Sequence, residues 1–359
     1  MDFTEELLAM PPFSIDRVKK EELLLRSMSE LTQLHELNCL EYGRILKHLN
    51  KSRNWDSSSL TNIPFLPVRI FKHLELRSVP DDEIFKVMYS SGTSGQIPSK
   101  IYLDRVTAKL QSVILSKIFS DFIPMKRPPI LVIDSADTIK NRRAFSARAA
   151  GILGFSFLCR DMTFALKSDM TLDDEAVINF AKKYGNETVV IFGFTSIIWE
   201  YLLNNKGVNK FQSMLHNSYV VHGGGWKKLE SLQINSSIFK TKVREVVGTS
   251  NVINYYGLVE QTGSLYFECQ EGFLHSSNYS NIIVREERNF LPISDNTIGL
   301  LQLQSILPKS YPGHSILTED LGAIIGVDDC PCGRLGQRFQ VIGRIPDAEI
   351  RGCSDTHEY

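Results

Sequence analysis

The residues with the clearest potential for chemistry lie between Ser90 and Lys100, in the segment SSGTSGQIPSK. Gly92 and Gly95 can adopt positive φ angles and let the backbone approach a ligand, while the hydroxyl groups, free N–H groups and Lys100 favour anionic oxygens. A Walker A loop needs a second glycine five residues after the first, and neither glycine has one. The segment therefore predicts either a phosphate-binding loop of another kind or a solvated turn.

A second candidate is the run NYYGLVE, which extends from Asn254 to Glu260. An aromatic ring at this position could stack on an adenine, and a carboxylate could hold Mg²⁺ against phosphate oxygens. The alternative is a half-buried tyrosine at a strand edge followed by a solvated glutamate. Taken alone, the run favours this second interpretation.

A third candidate is the run HGGGW, from His222 to Trp226. Three consecutive glycines lose much backbone entropy on folding, which indicates a backbone that lies flat against a ligand. His222 could polarise a substrate carboxylate or satisfy a backbone carbonyl group.

A fourth candidate is Cys353, which follows Arg351 and Gly352 in the C-terminal segment. A thiol in this setting is expected to be exposed and to have a lowered pKa, as a nucleophile requires. The alternative is an inert surface thiol.

Short apolar runs that alternate with helix-compatible segments predict the elements that position these residues. The runs after the glycine-rich segment indicate βα units and a doubly wound, largely parallel sheet, and they lie at 130–133, 155–158, 189–192, 219–221 and 252–255. From Gly263 onward, short strands separated by Gly, Pro and Asn predict an antiparallel sheet or barrel. Between Ser14 and Asn50, a stripe of apolar residues predicts amphipathic helices; it comprises Leu25, Met28, Leu31, Leu34, Leu37 and Leu40.

Composition narrows the function classes. The 359 residues include 40 Lys and Arg and 41 Asp and Glu, which gives a net charge of -1. Without a basic block, neither nucleic acid nor an anionic membrane surface is an expected partner. The acidic N-terminus lacks the features of a signal peptide, and no apolar run is long enough to cross a bilayer. Six dispersed cysteines indicate reduced thiols, so a cytoplasmic protein is expected.

In their order along the chain, these motifs resemble those of the acyl-adenylate-forming superfamily, which includes acyl-CoA synthetases, luciferases and peptide adenylation domains. The family phosphate loop reads Ser/Thr-Ser-Gly-Thr-Thr-Gly-x-Pro-Lys, whereas Ser99 here separates Pro98 from Lys100. The family motif Tyr-Gly-x-Thr-Glu has Val259 in place of its threonine. A later acid and a Gly-Arg pair, here Asp320 and Arg344, complete the pattern.

The resemblance implies roles for these residues. Tyr256 would stack on adenine, Glu260 would bind Mg²⁺, and Asp320 would accept hydrogen bonds from the ribose hydroxyls, with Arg344 as a second nucleotide contact. The implied ATP-binding set is Ser90, Ser91, Gly92, Thr93, Ser94, Gly95, Gly223, Gly224, Gly225, Tyr255, Tyr256, Gly257, Glu260, Asp320 and Arg344, and the implied catalytic set is Cys353, Lys100 and His222.

Within the superfamily, the HGGGW run and the terminal RGCS segment resemble LuxE-type acyl-protein synthetases, which are related to phenylacetate–CoA ligase. The resemblance implies activation of a fatty acid by ATP and Mg²⁺, transfer to Cys353 as a thioester, and delivery to an acyl-protein reductase, with an acyltransferase or an acyl carrier as further possible partners. The alternatives are an acyl-CoA ligase or acyltransferase that acts on CoA, a carrier protein or a sugar amine, and a non-catalytic nucleotide-binding scaffold.

The resemblance also implies three parts of the chain. Residues 1–80 would form a helical segment and an extended connector packed on the core, 81–345 the adenylate-forming core, and 346–359 a hinge-like tail with Cys353. The small C-terminal domain that delivers a lysine in full-length adenylating enzymes is expected to be missing or vestigial. Cys330 and Cys332 match a Cys-x-Cys-Gly-Arg element of the same group. Their spacing is tighter than that of a usual zinc knuckle, which favours a turn without metal over a zinc site.

Overall fold

The computed structural model describes residues 3–49, 58–90, 97–140, 147–204, 214–224 and 234–345. The chain divides into two compact units. The first unit combines Met1–Ser90, Ile97–Asp121 and Gly257–Glu349, and the second is centred on Phe122–Tyr256. The N-terminal segment therefore shares its unit with the C-terminal strands.

The described elements alternate as follows. The strands are β1 (Leu66–Pro67), β2 (Lys86–Tyr89), β3 (Lys100–Leu103), β4 (Pro129–Ser135), β5 (Arg160–Leu166), β6 (Val189–Phe194), β7 (Ser218–Gly223), β8 (Val252–Tyr256), β9 (Tyr266–Phe267), β10 (Leu274–His275), β11 (Ser280–Arg285), β12 (Gly299–Ser305), β13 (Ser315–Val327) and β14 (Gln337–Arg344). The helices are α1 (Phe3–Ala9), α2 (Arg17–Asn38), α3 (Leu40–His48), α4 (Ile70–His73), α5 (Arg105–Phe122), α6 (Asp137–Lys140), α7 (Ala147–Ser156), α8 (Asp174–Tyr184), α9 (Thr195–Ile197) and α10 (Ser236–Val247). None of these helices combines the length and the apolar character that a bilayer crossing needs.

The second unit is built on a parallel sheet with the order β5-β4-β6-β7-β8. In chain order this is 2-1-3-4-5, one of the two common doubly wound arrangements. Every residue of β4 and β6 is buried, as expected for central strands covered on both faces. The predicted doubly wound parallel sheet is confirmed, and four of the five predicted apolar runs lie in its strands. The run at 155–158 was wrong: it covers the end of α7 and the turn after it, and β5 begins only at Arg160, because a short apolar run does not distinguish a buried helix end from a strand. Ligands in such sheets bind beyond the carboxyl ends of the strands.

The first unit contains an antiparallel sheet with the order β10-β14-β13-β12-β11, to which β1 adds a parallel pairing with β13. The predicted antiparallel sheet is confirmed. Among the described strands, β10 and β11 end this order, so the barrel-like closure is not confirmed. Strands β2 and β3 form a separate antiparallel hairpin. The connector predicted to be extended also contains the short helix α4.

The helices predicted between Ser14 and Asn50 are present, but only part of the predicted stripe is buried, including Met28 and Leu31. Leu34, Leu37 and Leu40 are exposed. Residues spaced strictly by three fall behind by about 60° at each step of an α-helix, so such a stripe winds around the helix instead of following one face. The buried face of α2 follows spacings of three and four and comprises Lys20, Leu23, Leu24, Met28, Leu31, Thr32 and His35.

Two buried histidines fix helix α2 by hydrogen bonds. The ring nitrogens of His35 contact Ser78 Oγ at 2.7 Å and the Pro308 carbonyl oxygen at 3.1 Å. Since a carbonyl oxygen only accepts, Nε2–H of His35 is the donor and Nδ1 accepts from the serine. Thr32 Oγ1 lies 3.0 Å from His314 Nε2. Burial lowers the pKa of His35 from 6.5 to about 3. The His35 ring is therefore neutral near pH 7, as its hydrogen bond from Ser78 to Nδ1 requires.

This burial predicts acid sensitivity. As the pH falls from 6.5 towards about 3, the unfolded chain binds a proton at His35 and the folded chain does not. The free energy of unfolding must therefore decrease over this interval. We expect His35→Gln to show a smaller decrease than the wild type in denaturant titrations at several pH values.

The matched control is His48→Gln, because His48 lies exposed near the end of α3. This variant should retain the wild-type pH dependence. Equal pH slopes for the wild type and His35→Gln would contradict the prediction. Absolute stabilities are not the readout, since His35→Gln also removes packing.

Candidate active site

The hairpin of β2 and β3 holds both ends of the predicted phosphate loop. Tyr89 pairs with Lys100 across the hairpin. Ser90 N–H donates to the Ser99 carbonyl oxygen at 3.0 Å, and Ser99 N–H donates to Ser90 Oγ at 2.7 Å. The structure thus fixes Ser90 and Lys100 on either side of the loop, while the predicted residues Ser91, Gly92, Thr93, Ser94 and Gly95 lie outside the described residues.

A hydrogen bond joins the loop end of this hairpin to Glu260, the predicted magnesium ligand. Ser99 Oγ donates to Glu260 Oε1 at 2.7 Å, and both residues are buried, with exposures of 1% and 3%. Tyr311 O–H donates to the backbone carbonyl oxygen of Glu260 at 2.9 Å. Glu260 lies shortly after the end of β8, in the single 3-10 turn Val259–Gln261. The serine that departs from the family pattern is therefore the partner that orients the carboxylate.

The predicted ribose ligand and the predicted hinge arginine lie opposite each other. Asp320 on β13 pairs in register with Arg344 on β14. Arg344 Nε donates to Asp320 Oδ1 at 3.0 Å, and its Nη2 donates to Glu319 Oε2 at 2.8 Å. Glu319 also forms an ion pair with Arg69. The two carboxylates are almost fully buried and two guanidinium groups compensate their charge.

Tyr255 packs inside the second unit. Its ring lies 6.2 Å from that of Phe192 in a stacked arrangement and 5.3 Å from that of Phe155. A Cβ atom on Gly223 would come within 2.5 Å of the Tyr255 ring, so this glycine makes room for the tyrosine. Gly224, with φ of 91°, then turns the chain away from β7. Successive side chains of a strand point to opposite faces, so Tyr256 points to the other face of β8.

His222 is buried in the parallel sheet. It has no exposed surface, and its Nδ1 lies 2.9 Å from Thr195 Oγ1. Because Thr195 donates its proton to the Gly223 carbonyl oxygen at 3.1 Å, its hydroxyl oxygen accepts from His222 Nδ1–H. Burial, followed by the charge of Lys240, lowers the pKa of His222 to about 3. These contacts favour a role in holding the Gly223 turn over proton transfer.

The described site residues therefore fall into two groups. In the first unit, Ser90 and Glu260 are linked through Ser99, and Asp320 is linked to Arg344. In the second unit, His222, Gly223 and Tyr255 lie at neighbouring register positions of β7 and β8. Gly257 follows Tyr256 where the chain enters the first unit. Gly225 and Cys353 lie outside the described residues.

Sequence reasoning missed Ser99, Thr195 and Glu319. Ser99 had a visible signal, its insertion between Pro98 and Lys100. The others had none, because a lone threonine after a strand and an acid beside Asp320 are common. The apolar residues at and after the end of β6 belong to the core around Phe239, and they are Phe194, Ile197, Ile198 and Trp199.

The contact between Gly223 and Tyr255 predicts the effect of a methyl group. Gly223→Ala should displace the Tyr255 ring and lower the free energy of unfolding by about 1–3 kcal/mol, as overpacking does. Chemical denaturation with fluorescence detection would measure the change. Gly154→Ala is the control, because no atom lies within 4 Å of its added Cβ. It should stabilise its helix slightly, and an equal loss in both variants would contradict the prediction.

Solved structures establish the fold. An open conformation of 2-hydroxyisobutyryl-CoA ligase in complex with 2-HIB-AMP and CoA superimposes with a TM-score of 0.72 over 93% of this chain and 71% of that chain, at 15% identity. The same ligase in the thioesterification state gives a TM-score of 0.71 over 95% of this chain and 72% of that chain, at 16% identity. This likeness confirms the predicted fold of the adenylate-forming ligases.

Sequence comparison establishes the family. A long-chain-fatty-acid–luciferin-component ligase of Aliivibrio fischeri is 21% identical over 319 residues, which are 82% of this chain and 78% of the relative. The ligase of the same name from Vibrio harveyi is 22% identical over 344 residues, or 94% and 87% of the two chains. The model of the acyl-protein synthetase family LuxE matches residues 2–358. The chain therefore belongs to the LuxE family of acyl-protein synthetases, which confirms the predicted enzyme class, an ATP-dependent acid ligase.

Proposed function

We propose that this protein activates a long-chain fatty acid with ATP and Mg²⁺ to acyl-AMP and then transfers the acyl group to Cys353. The observation that carries the proposal is the buried hydrogen bond from Ser99 to Glu260. It connects the C-terminal end of the glycine-rich segment to the acid of the second motif. The sequence alone showed only that these two motifs occur in the same order as in the family. The names of the curated relatives support the fatty-acid substrate.

In the first step, a carboxylate oxygen of the fatty acid attacks the α-phosphorus of ATP. The new bond joins this oxygen to the α-phosphorus, and the bond to the bridging oxygen breaks as pyrophosphate leaves. The hydroxyls and N–H groups of the loop that begins at Ser90, with the ammonium group of Lys100, would bind the phosphate oxygens on which charge accumulates. Lys100 suits this role because it begins β3 beside the loop.

Glu260 fits the role of magnesium ligand. Mg²⁺ takes oxygen ligands and is usually held by one or two carboxylates together with substrate phosphates, whose charge it neutralises. Carboxylates that ligate metals are themselves held by hydrogen bonds. Ser99 supplies such a bond, and burial of both groups restricts Glu260 to one orientation.

Asp320 and Arg344 would bind the ribose. The Arg344 guanidinium group accounts for one contact of Asp320 Oδ1 at 3.0 Å. A carboxylate offers about four acceptor positions, so it can bind a ribose hydroxyl and Arg344 together. Besides its own contact to the nucleotide, the arginine would hold the Asp320 carboxylate in position for the sugar.

In the second step, the thiolate of Cys353 attacks the acyl carbon of acyl-AMP. A C–S bond forms, the bond from the acyl carbon to the phosphate oxygen breaks, AMP leaves, and the thiol proton passes to solvent. The resulting thioester keeps the acyl group activated for a later transfer. We propose that an acyl-protein reductase takes the acyl group from this cysteine, with an acyltransferase subunit or acyl carrier as a further partner.

The Ser99–Glu260 contact predicts a measurable loss. Ser99→Ala should lower fatty-acid-dependent exchange of pyrophosphate into ATP by about 10- to 100-fold, because a hydrogen bond to a charged group contributes about 1.5–3 kcal/mol. Ser99→Thr retains a hydroxyl and should recover part of the activity. Glu260→Gln should lower the exchange rate further. Because it removes a charged oxygen ligand, it should also raise the Mg²⁺ concentration that exchange requires.

Ser112→Ala is the matched control, since Ser112 is exposed and donates only within helix α5, to the Ala108 carbonyl oxygen. This variant should exchange pyrophosphate at the wild-type rate. Equal activity of Ser99→Ala and Ser112→Ala would refute the positioning role of Ser99. The absence of fatty-acid-dependent exchange in the wild type would leave only the scaffold alternative.

Transfer to Cys353 predicts covalent labelling. Wild-type protein incubated with labelled fatty acid, ATP and Mg²⁺ should retain a label that hydroxylamine releases, whereas Cys353→Ser should exchange pyrophosphate but retain none. Cys159→Ala, which removes a thiol of only 1% exposure, is the control and should label normally. Equal labelling of wild type and Cys353→Ser would disprove the acyl-cysteine, and turnover of Cys353→Ser with added CoA would favour the CoA-ligase alternative.

A further inference from the structure

Four potential metal ligands in the first unit lie around a common point. Cys269, His275, Cys330 and Cys332 each offer one ligand atom, and these atoms all lie within 4.8 Å of one another. Cys269 Sγ lies 3.9 Å from Cys330 Sγ, and Cys332 Sγ lies 3.4 Å from His275 Nε2. Three of these residues are buried, namely Cys269, His275 and Cys330. Cys332 is partly buried. None of them belongs to the groups proposed above for catalysis.

Two tight turns bring the four residues together. In the first, Cys269 N–H donates to the Phe273 carbonyl oxygen at 2.9 Å, and Gly272, with φ of 82°, reverses the chain before His275. In the second, Gly333 N–H donates to the Cys330 carbonyl oxygen at 3.0 Å. Gly272 and Gly333 both have positive φ angles, which glycine adopts without steric cost, and they allow these tight turns.

Strand pairing aligns the two turns. The short strand β10 pairs antiparallel with β14, so that His275 lies opposite Arg338. The turn of Cys330 and Cys332 lies in the connection that leads into β14. The ligands are thus positioned by backbone hydrogen bonds on ordered elements. This arrangement is what a preorganised site requires.

The separations agree with those of a tetrahedral zinc site. With Zn–S near 2.3 Å and Zn–N near 2.0–2.1 Å, tetrahedral angles place two sulfur ligands about 3.8 Å apart and a sulfur and a nitrogen about 3.6 Å apart. The observed values are 3.9 Å and 3.4 Å. A disulfide would need a separation of about 2.05 Å between the sulfur atoms. The geometry therefore matches shared coordination and not a covalent bond.

The charge around the group also suits a bound zinc ion. Three thiolates and one neutral imidazole around Zn²⁺ carry a net charge of about -1. Arg334, Arg338 and Lys20 lie within electrostatic reach of His275. Such cations lower the energy of a negatively charged centre in a partly buried place.

We propose that Cys269, His275, Cys330 and Cys332 bind a structural Zn²⁺. All four coordination positions come from the chain, which leaves no open position for a substrate or a water molecule, as in structural and not catalytic zinc sites. The ion cross-links the turn before β10 to the turn before β14. It thereby fixes a surface on which the N-terminal segment packs.

Three contacts connect that surface to the N-terminal segment. The Phe13 ring packs edge-on against the His275 ring, with 6.2 Å between centroids. Leu335 N–H donates to the Phe13 carbonyl oxygen at 3.1 Å, and Lys20 Nζ donates to Ser276 Oγ at 2.9 Å. Loss of the metal should therefore loosen helix α2 as well as the two turns.

The test measures metal directly and needs no enzymatic activity. The 359-residue chain, purified with a thiol reductant, should contain one zinc per chain by elemental analysis. Replacement by Co²⁺ should produce thiolate-to-cobalt charge-transfer absorption and the visible bands of a tetrahedral ion. Cys332→Ser and His275→Ala should bind Co²⁺ at least about tenfold more weakly. Cys39→Ala, which removes another buried thiol of the same unit, should bind as the wild type does.

Thermal unfolding with and without a strong chelator provides a second measurement. The chelator should lower the Tm of the wild type and of Cys39→Ala, and it should leave the Tm of Cys332→Ser unchanged. Should a ligand variant fail to fold, the Co²⁺ spectrum of metal-depleted wild type still decides. Octahedral or thiolate-free spectra, or a Cys269–Cys330 disulfide found by mass spectrometry under air in place of metal, would overturn the proposal, whatever pyrophosphate exchange shows.

Discussion

The hydrogen bond from Ser99 to Glu260 is the constraint on which the first unit's part of the proposed nucleotide site depends. It joins residues 161 positions apart, and it is buried, so its loss would leave a desolvated carboxylate without that partner. The surrounding backbone is shaped to permit it. Gly313 lies where a Cβ atom would come within 2.7 Å of the Glu260 carbonyl oxygen, and Gly263, at φ of 92°, packs against the backbone of Gln111. A larger side chain at either position would displace the turn that carries Glu260.

The pairing of Asp320 with Arg344 follows a different logic. The two residues face each other because β13 and β14 are antiparallel neighbours, which brings residues 24 positions apart to one register position. Arg344 also contacts Glu319, and Arg69 contacts the same glutamate. Two buried carboxylates in succession would repel each other strongly in a low-dielectric environment. The guanidinium groups of Arg344 and Arg69 offset that repulsion.

Local patterns predicted the order of elements well, and long-range pairings poorly. Runs of β-branched residues between amphipathic segments identified the parallel sheet, because burial on both faces requires such runs. The stripe from Leu25 to Leu40 misled, because its spacing of three does not match the helical period. Ser99 and Glu260 are distant in sequence, and nothing in either motif specifies the other. The Cys-x-Cys element alone offers two ligands, and the other two residues of the proposed zinc site lie upstream in another turn, where nothing in the sequence connects them to it.

In the N-terminal segment, the spacing of apolar residues did not predict the buried face of helix α2, because part of that face is polar. Helix α2 buries Lys20, Thr32 and His35 together with its leucines, so its attachment to the first unit is partly polar. Polar contacts of this kind need ordered partners, and the contacts of His35 also need a neutral ring. Ser78 and Pro308 are the partners of His35, and Ser276 is the partner of Lys20. Ser276 directly follows His275, one of the four proposed zinc ligands. Since a buried polar group costs free energy whenever its partner moves, a rigid turn at His275 contributes to stability well beyond the turn itself, and a metal ion is an effective means of making two short turns rigid.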